Sequence, residues 1–514
     1  MRTATSVRTF ALGLTIAAGS ACAMPETIMS TVDGHPSAAV PGQPGREFNF
    51  LRTPYKSESG TRWVMRALLD GDNDTNDALL VGQGTSFDLV LSEGDPIPWD
   101  ATAAALGETC GLFDVAMDIN DEGRFVIGNN SKNEAVPGVD EYIAVFDPIE
   151  GWIMVAREDD PAPGPGGFTF GCCARGSSIT ASGEVLFQAQ ALRLGDDELP
   201  DAIMRFDGTS VTREVLTFDT LLTVPQDPFA NPTVYINLFI DRNHISGDGA
   251  SRLVLSETLN NYDVVAINDV AVLAETFDLP NESGLIDSIQ SAWLDESGDW
   301  FARGDTFSDI DFVVANDTLL AFTGDPITSG SPTSWARRFS VPGSGAFRAH
   351  TANSAGDILL AGFTADTTGN GFAVRLNDEI VLRSGEPIDL DNNGLADDNA
   401  FMLDMDEDEA FVADNGDVYL VVGVANGAGD SIGEAMVKIA GDAGGCSPVD
   451  LAGPLDPTTP DGVLTGADFF RFLDLFSQGD LTIDLAGPLD PTTPDGVLTG
   501  ADFFRFLDLF SRGC

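Results

Sequence analysis

The chain is short of positive charge. Its 514 residues hold 26 Lys and Arg against 81 Asp and Glu, a formal charge of -55 at pH 7. Lysine occurs only at Lys56, Lys132 and Lys438, and histidine only at His35, His244 and His350. Without clustered basic side chains such a chain repels a polyanion, which excludes a nucleic-acid binder of the usual kind. Three scattered histidines in no recognisable base motif weigh against nucleophilic catalysis. Beyond the first residues there is also no apolar run near the ~20 residues that span a bilayer. What is present is an ordinary apolar fraction, 43%, enough to fill a core. The acidic surface suits solubility in salty water or contact with divalent cations.

Residues 1–23 carry Arg2 and Arg8, an apolar run over 10–18, then Ala21-Cys22-Ala23. That is the order of a secretory signal peptide, and cleavage after Ala23 is expected. The protein then reads as secreted, extracellular or held at a cell surface. Five cysteines remain, Cys110, Cys172, Cys173, Cys446 and Cys514. In an exported chain they are expected to be bridged. Cys446 and Cys514 bracket the last segment and are paired, whereas Cys110 could join Cys172 or Cys173.

Between these ends one phrase recurs, a polar turn closed by glycine and followed by a strand of alternating apolar residues. Its glycines are Gly60, Gly123, Gly183, Gly249, Gly298, Gly356 and Gly416, spaced by roughly 60 residues. A second hairpin turn follows, written Asp207-Gly208, Asn268-Asp269, Asn316-Asp317 and Asn377-Asp378, residues that tolerate the positive φ of tight turns. Two hairpins per unit and seven units predict a mainly β, seven-bladed propeller-like domain over 47–441. An elongated β-array or paired sandwiches is the alternative. The last unit stops one strand short, and segment 24–46 is a linker expected to supply the closing strand. A recurrent acid before proline, as in Gly94-Asp95-Pro96 and Gly324-Asp325-Pro326, reads as strand-end punctuation rather than a ring of carboxylates. On Asn120-x-x-Gly123-x-Phe125, Gly183-x-x-x-Phe187 and Asn353-x-x-Gly356, residues 50–440 resemble the exported tandem-repeat family named for its N-x-x-G-x-x-A-F phrase. That resemblance carries no enzymatic activity.

One loop stands above the acidic background. Asp389, Asp391 and Asn393, a glycine at 394 and Asp397 are spaced as oxygen ligands of a calcium loop. Near the C-terminus, 28 residues at 450–477 recur unchanged at 484–511. Each copy is an acidic turn and an amphipathic helix. Asp461 and Asp468, repeated as Asp495 and Asp502, fit positions 5 and 12 of a calcium loop, with Asp456 and Asp490 one residue further upstream than the pattern requires. The helices carry more apolar surface than a two-helix core consumes, and Phe469, Phe470, Phe472, Phe503, Phe504 and Phe506 are the candidate partner-binding residues.

Bounded by Gly445-Cys446 and Gly513-Cys514, segment 446–514 resembles the dockerin-like module that begins and ends with Gly-Cys. The resemblance implies a small α domain with two helix repeats, Ca2+ in its loops, a Cys446–Cys514 clamp, two equivalent binding faces, and a cohesin-like or envelope protein as partner. Three functions follow: a non-catalytic propeller platform, with a carbohydrate or protein ligand, attached through this tail; a glycoside hydrolase with the same anchor; or a self-assembling structural protein. An inward-facing Asp/Glu pair ~5–10 Å apart in the propeller funnel would favour the hydrolase.

Overall fold

The computed structural model describes residues 24–441 apart from 72–75, 165–166, 172–173, 190–191, 195–196, 199–200, 218–220, 224–232, 259–261, 281–283, 338–344 and 366–369, together with 451, 466–480, 483 and 497–512. The expected signal peptide and Cys172, Cys173, Cys446 and Cys514 lie outside the described residues. The chain divides into two compact units, one spanning Met24–Gly441 and the other containing Asp442–Cys514.

The larger unit is a seven-bladed β-propeller whose sheets are antiparallel, apart from one parallel bridge from Leu221–Thr223 to Val270–Ala274 in the fourth, and in each blade the strands run outward from an innermost position. In blade 1 Phe48–Leu51 and Tyr55–Lys56 share that position beside Arg62–Leu69, followed outward by Asp77–Gln83 and Ser86–Ser92. The inner strands of blades 2 to 7 include Thr109–Ile119, Ala174–Ile179, Thr233–Ile245, Ile286–Leu294, Phe347–Ala352 and Ala410–Val412. Blade 7 continues outward through Val418–Ala425 and Ser431–Ile439. Its outermost strand is Glu26–Ser30 from the other end of the unit, with Glu26 opposite Lys438.

The recurrent glycine phrase forms the turn from first to second strand in every blade. In all seven the glycine N–H donates to the carbonyl three residues back, from Gly60 to Ser57 through Gly416 to Ala413. Each glycine has φ between +69° and +89°, a region where a Cβ is costly. The polar residue that opens the phrase closes the turn a second time. Asn120 Oδ1 accepts from Arg124 N at 2.9 Å, Thr180 Oγ1 from Glu184 N at 3.0 Å and Asn353 Oδ1 from Asp357 N at 2.8 Å. The outer Asn-Asp hairpins repeat as closely. Asn268, Asn316 and Asn377 all have positive φ, and each side-chain oxygen accepts from the first residue of the blade's second strand.

Blades are joined by apolar packing and by buried acids. One core cluster brings Val64 and Leu79 of blade 1 against Phe113 and Ile119 of blade 2. Beside it Asp77, fully buried, accepts from Phe113 N at 2.9 Å. Asp263 does the same for Ile289 N, Asp311 for Ala346 N and Glu434 for Leu51 N. In each case the acid comes from one blade and the amide from the inner strand of the next or, for Ala346, from the residue just before it, near a break in that strand's pairing register. A bulge leaves an amide without a ladder partner, and a carboxylate supplies the missing acceptor. Part of the acid excess is therefore internal architecture rather than surface. Cys110, expected in a disulfide, is a free and fully buried thiol.

The smaller unit contributes two described helices, Gly466–Gln478 and Gly500–Arg512. They are related by a local twofold visible in their rings. Phe472 stacks on Phe506 at 3.9 Å, and the Phe469–Phe506 and Phe472–Phe503 pairs mirror one another at 6.1 Å each.

Candidate functional site

The inner strands of all seven blades line one central channel, a cavity of about 1040 Å³ including its open mouth. Tyr55, Asp118, Ser178, His244, Trp293, His350 and Phe411 contribute one side chain per blade. Sequence reasoning named none of these as a site. The clue was available in the glycine phrase, whose second position holds Glu58 in blade 1 and Glu296 in blade 5, both lining the channel. Gly247 stands at that position in blade 4. A Cβ there would lie 3.4 Å from Glu58 Cγ and 3.5 Å from Glu296 Cβ, so the three turns converge and narrow the channel.

Three carboxylates thus share the throat. Burial pushes Glu58 up to about 7, with Glu296 and Asp121 adding to the effect against main-chain hydrogen bonds. Burial likewise raises Asp118 well above the usual range, and raises Glu296 against the opposing pull of Lys56. Burial accounts first for all three directions, with repulsion from Glu296 added at Glu58 and Asp118 and repulsion from Asp295 and Asp414 added at Glu296. Their partners differ. Asp118 gives one oxygen to Ile119 N at 2.9 Å and the other to Ile179 N at 2.8 Å. Glu296 faces Lys56 Nζ at 3.6 Å, and Lys56 also donates to Ala352 O. Glu58 Oε2 accepts from Asp121 N at 2.8 Å, while Oε1 is buried without a hydrogen-bond partner. Trp293, stacked on Phe301 at 4.4 Å, also has its Nε1 donor unmatched. An aromatic face, an open donor and an open carboxyl in one concave site are what a small polar ligand needs.

A second cavity, about 820 Å³, shares Thr53, Tyr55 and Glu407 with the channel and is flanked by Arg52, Arg66 and Arg348. Arg66 pairs with Asp77 at 2.8 Å and Arg348 with Glu407 at 2.7 Å.

The acidic loop folds as a compact set of side-chain to main-chain bonds. Asp389 accepts from Asn393 N and Gly394 N, and Asn393 Nδ2 donates to Asp391 and Asp397. The three carboxylates within 4.8 Å of one another are Asp389, Asp391 and Asp398, so Asp398 stands where the spacing suggested Asp397. This loop also grips the closing strand, since Thr27 Oγ1 donates to Asp389 O and the Asn392 side chain bonds Thr27 N and O.

In the smaller unit Asp456, Asp461, Asp490 and Asp495 lie outside the described residues, and Asp468 is described only as part of its helix. Asp502 is fully buried and accepts from Thr499 N at 2.6 Å, the bond of a capping box at a helix start. Of the six phenylalanines expected to meet a partner, Phe472 and Phe506 are completely buried against each other, which corrects their assignment. Phe469 and Phe503 are half-buried at the same core. Phe470 and Phe504 remain 70% and 71% exposed, and Leu473 and Leu507 38% and 36%.

No family model matches the sequence, and no curated protein matches it significantly. Among solved structures, the chain is similar to one described as a Mitotic Checkpoint Complex, at 10% identity, covering 85% of this chain and 99% of that one with a TM-score of 0.32. It is similar to TolB from Acinetobacter baumannii at 11% identity, covering 76% and 79% with a TM-score of 0.30. A structure from work on two prolyl endopeptidases shares 12% identity over 76% of this chain and 50% of that one, TM-score 0.33. Among the described residues no helix is long and apolar enough to cross a membrane.

Proposed function

We propose that the protein is a secreted, non-catalytic binding protein. The propeller is the platform, its channel receives a small ligand, and the dockerin-like tail attaches the whole to a scaffold or envelope protein of cohesin type. The observation that carries the attachment is the matched exposure of Phe470 and Phe504, 70% and 71%, on helices whose inner rings are consumed by each other. An aromatic ring left out of a small core in two equivalent places supports a protein partner over a packing defect. Calcium at Asp389, Asp391 and Asp398, and in the tail loops, belongs to the same reading, as does a Cys446–Cys514 clamp.

The test compares envelope pull-downs of the full chain, the double variant Phe470→Ser/Phe504→Ser, and a chain ending at Ala440. Loss of the same partner from both altered forms supports the attachment role. Unchanged recovery by the shortened chain overturns it.

A hydrolase is the second reading, favoured by the carboxylates Glu58, Asp118 and Glu296 in one throat. Two of the three have structural employment, Asp118 on two amides and Glu296 on Lys56, which leaves Glu58 without a free carboxylate partner. Hydrolysis of any polysaccharide by the full chain, abolished by Glu58→Gln, would move the proposal to this reading.

A further inference from the structure

The wall of the central channel is tiered. Five residues before its turn glycine, each blade presents one lining residue: Tyr55, Asp118, Ser178, His244, Trp293, Thr351 and Phe411. Three of the seven are aromatic and one is a carboxylate. Trp293 is held by stacking on Phe301 at 4.4 Å and Phe411 by stacking on Tyr419 at 4.6 Å, while Tyr55 and Trp293 remain partly exposed. Three residues further along their strands' exits stand Glu58 and Glu296, so a tier of rings leads into a throat of carboxylates.

Charge in that throat is not balanced as it is elsewhere around the channel. Glu407 pairs with Arg303 and Arg348, Asp408 with Arg303, and Glu296 with Lys56. The side chains of Glu58 and Asp118 bond only to main-chain amides, and among the described residues neither has a basic partner. Carboxylates drawn partly out of water without a counter-ion are costly, and a cation entering the channel relieves that cost. The site does not suit a metal ion. A hard cation takes about six to eight oxygens directly, whereas both oxygens of Asp118 and one of Glu58 are already spent on amides. Among the described residues the carboxylates that converge closely enough to hold an ion are Asp389, Asp391 and Asp398, which do not line the channel. A primary ammonium also asks for acceptors. A quaternary ammonium asks for none; it needs negative potential and ring faces, and the two tiers offer both.

We propose that the channel binds the quaternary ammonium group of a small organic cation, with the Trp293 and Tyr55 rings against its methyl groups and Glu58 and Asp118 supplying the countercharge. This inference rests on the channel being a ligand site, and it names the ligand's chemistry there. Burial holds the carboxyls of Glu58, Asp118 and Glu296 high, Glu58 at about 7. A cation favours their ionised forms, so its binding releases protons and tightens as pH rises through that value. The other titratable or charged groups facing them are Lys56, Tyr55, His244 and His350 on the wall, the ion-paired Glu407 and Asp408, and Asp121, Asp295 and Asp414 at the turns.

The experiment is calorimetric titration of the full chain, at saturating calcium, with choline, with its uncharged isostere 3,3-dimethyl-1-butanol and with ethanolamine. Choline should bind roughly ten-fold or more tighter than either of the others, with an affinity that rises from about pH 6 to about pH 8. Trp293→Leu should remove most of the advantage over ethanolamine. Glu58→Gln, which keeps an acceptor for Asp121 N, should remove most of the advantage over the alcohol and most of the pH dependence, at an unchanged affinity for the alcohol itself. Equal binding of choline and ethanolamine would mean that only the general field of the acidic chain is felt, and equal binding of choline and the alcohol that no charge is read. Either result overturns the proposal, as does failure of all three to bind. If choline and the alcohol bind equally and Trp293→Leu weakens both, the channel remains a ligand site without a cation subsite. If choline binds selectively and neither variant alters its binding, the site lies elsewhere and the channel reading fails with the proposal.

Discussion

The two halves of this molecule repeat themselves in opposite ways. The blades share little beyond a glycine, with a polar residue opening its turn in six of them and an Asn-Asp hairpin in three, yet every inner turn makes the same main-chain bond. The tail repeats 28 residues unchanged, buried and exposed positions alike. A ring constrains the places where each blade must turn and meet its neighbour, and leaves its strand faces free to vary in composition. A two-helix pair with identical halves duplicates its outer surface together with its core, so Phe470 and Phe504 offer the same face twice.

The largest effects are expected where blade meets blade. Asp311 accepts from Ala346 N of the next blade and pairs with Arg337 at 2.7 Å. Asp311→Ala should cost about 3–4 kcal/mol, because it takes a buried acceptor from the Ala346 amide, from Thr323 Oγ1 and from two N–H groups of Arg337 at once, although Arg337 keeps Asp305 and Asp309. Chemical denaturation followed by tryptophan fluorescence would measure it. If the loss is below about 1 kcal/mol, the acids are not the joints between blades. Next come the glycines, which contrast two kinds of turn. A Cβ at Gly60 would sit 2.5 Å from Ala413 Cα, whereas one at Gly208 meets nothing within 4 Å. Gly60→Ala should therefore destabilise by about 2–4 kcal/mol and Gly208→Ala by about 1 kcal/mol. Equal costs would mean that backbone conformation alone, and not contact between blades, sets the requirement.

Calcium should act on the ring through the loop that holds its closing strand. At a calcium concentration one hundred times its Kd the gain is about 2.7 kcal/mol, read as a rise in Tm. Asp398→Asn should remove that rise and Asp397→Asn should largely spare it. The reverse order would restore the ligand set suggested by spacing. A further effect is one of pH. Glu58 and Glu409 have folded pKa values raised to about 7 and about 9. The folded ring therefore holds more protons than the unfolded chain above the ordinary carboxylate range. Their contribution to stability is complete at low pH and is lost as pH rises through those values. The propeller Tm should fall between pH 5 and pH 9, and a double variant Glu58→Gln/Glu409→Gln should flatten the slope. A wild-type Tm that rises over the same interval would contradict it.

Legibility in the sequence followed the range of the interaction. The inner and outer turns were readable because glycine, Asn and Asp act on their own backbone within four residues. The acids between blades were not, since Asp77 bonds an amide 36 residues away and Asp263 one 26 away. Among 81 acids nothing local distinguishes them. The throat lay between these extremes. Glu58 and Glu296 sat inside a phrase already recognised, but only closure of the ring brings blades 1 and 5 together at Gly247. In the tail, helical spacing identified the apolar face, while the packing of Phe472 on Phe506 decided which rings were left outside.

The closing strand has a consequence in time. Glu26–Ser30 comes early in the chain, yet its partner strand is among the last of the propeller, and Thr31 Oγ1 accepts from Glu434 N across 403 residues. Until that partner exists Val418–Ala425 has an open edge, the kind of edge that recruits strands from other molecules. Contacts so distant in sequence also form slowly. Synthesis must therefore run through nearly the whole propeller before the ring can close. A chain cut short anywhere before residue 431 keeps its first strand idle.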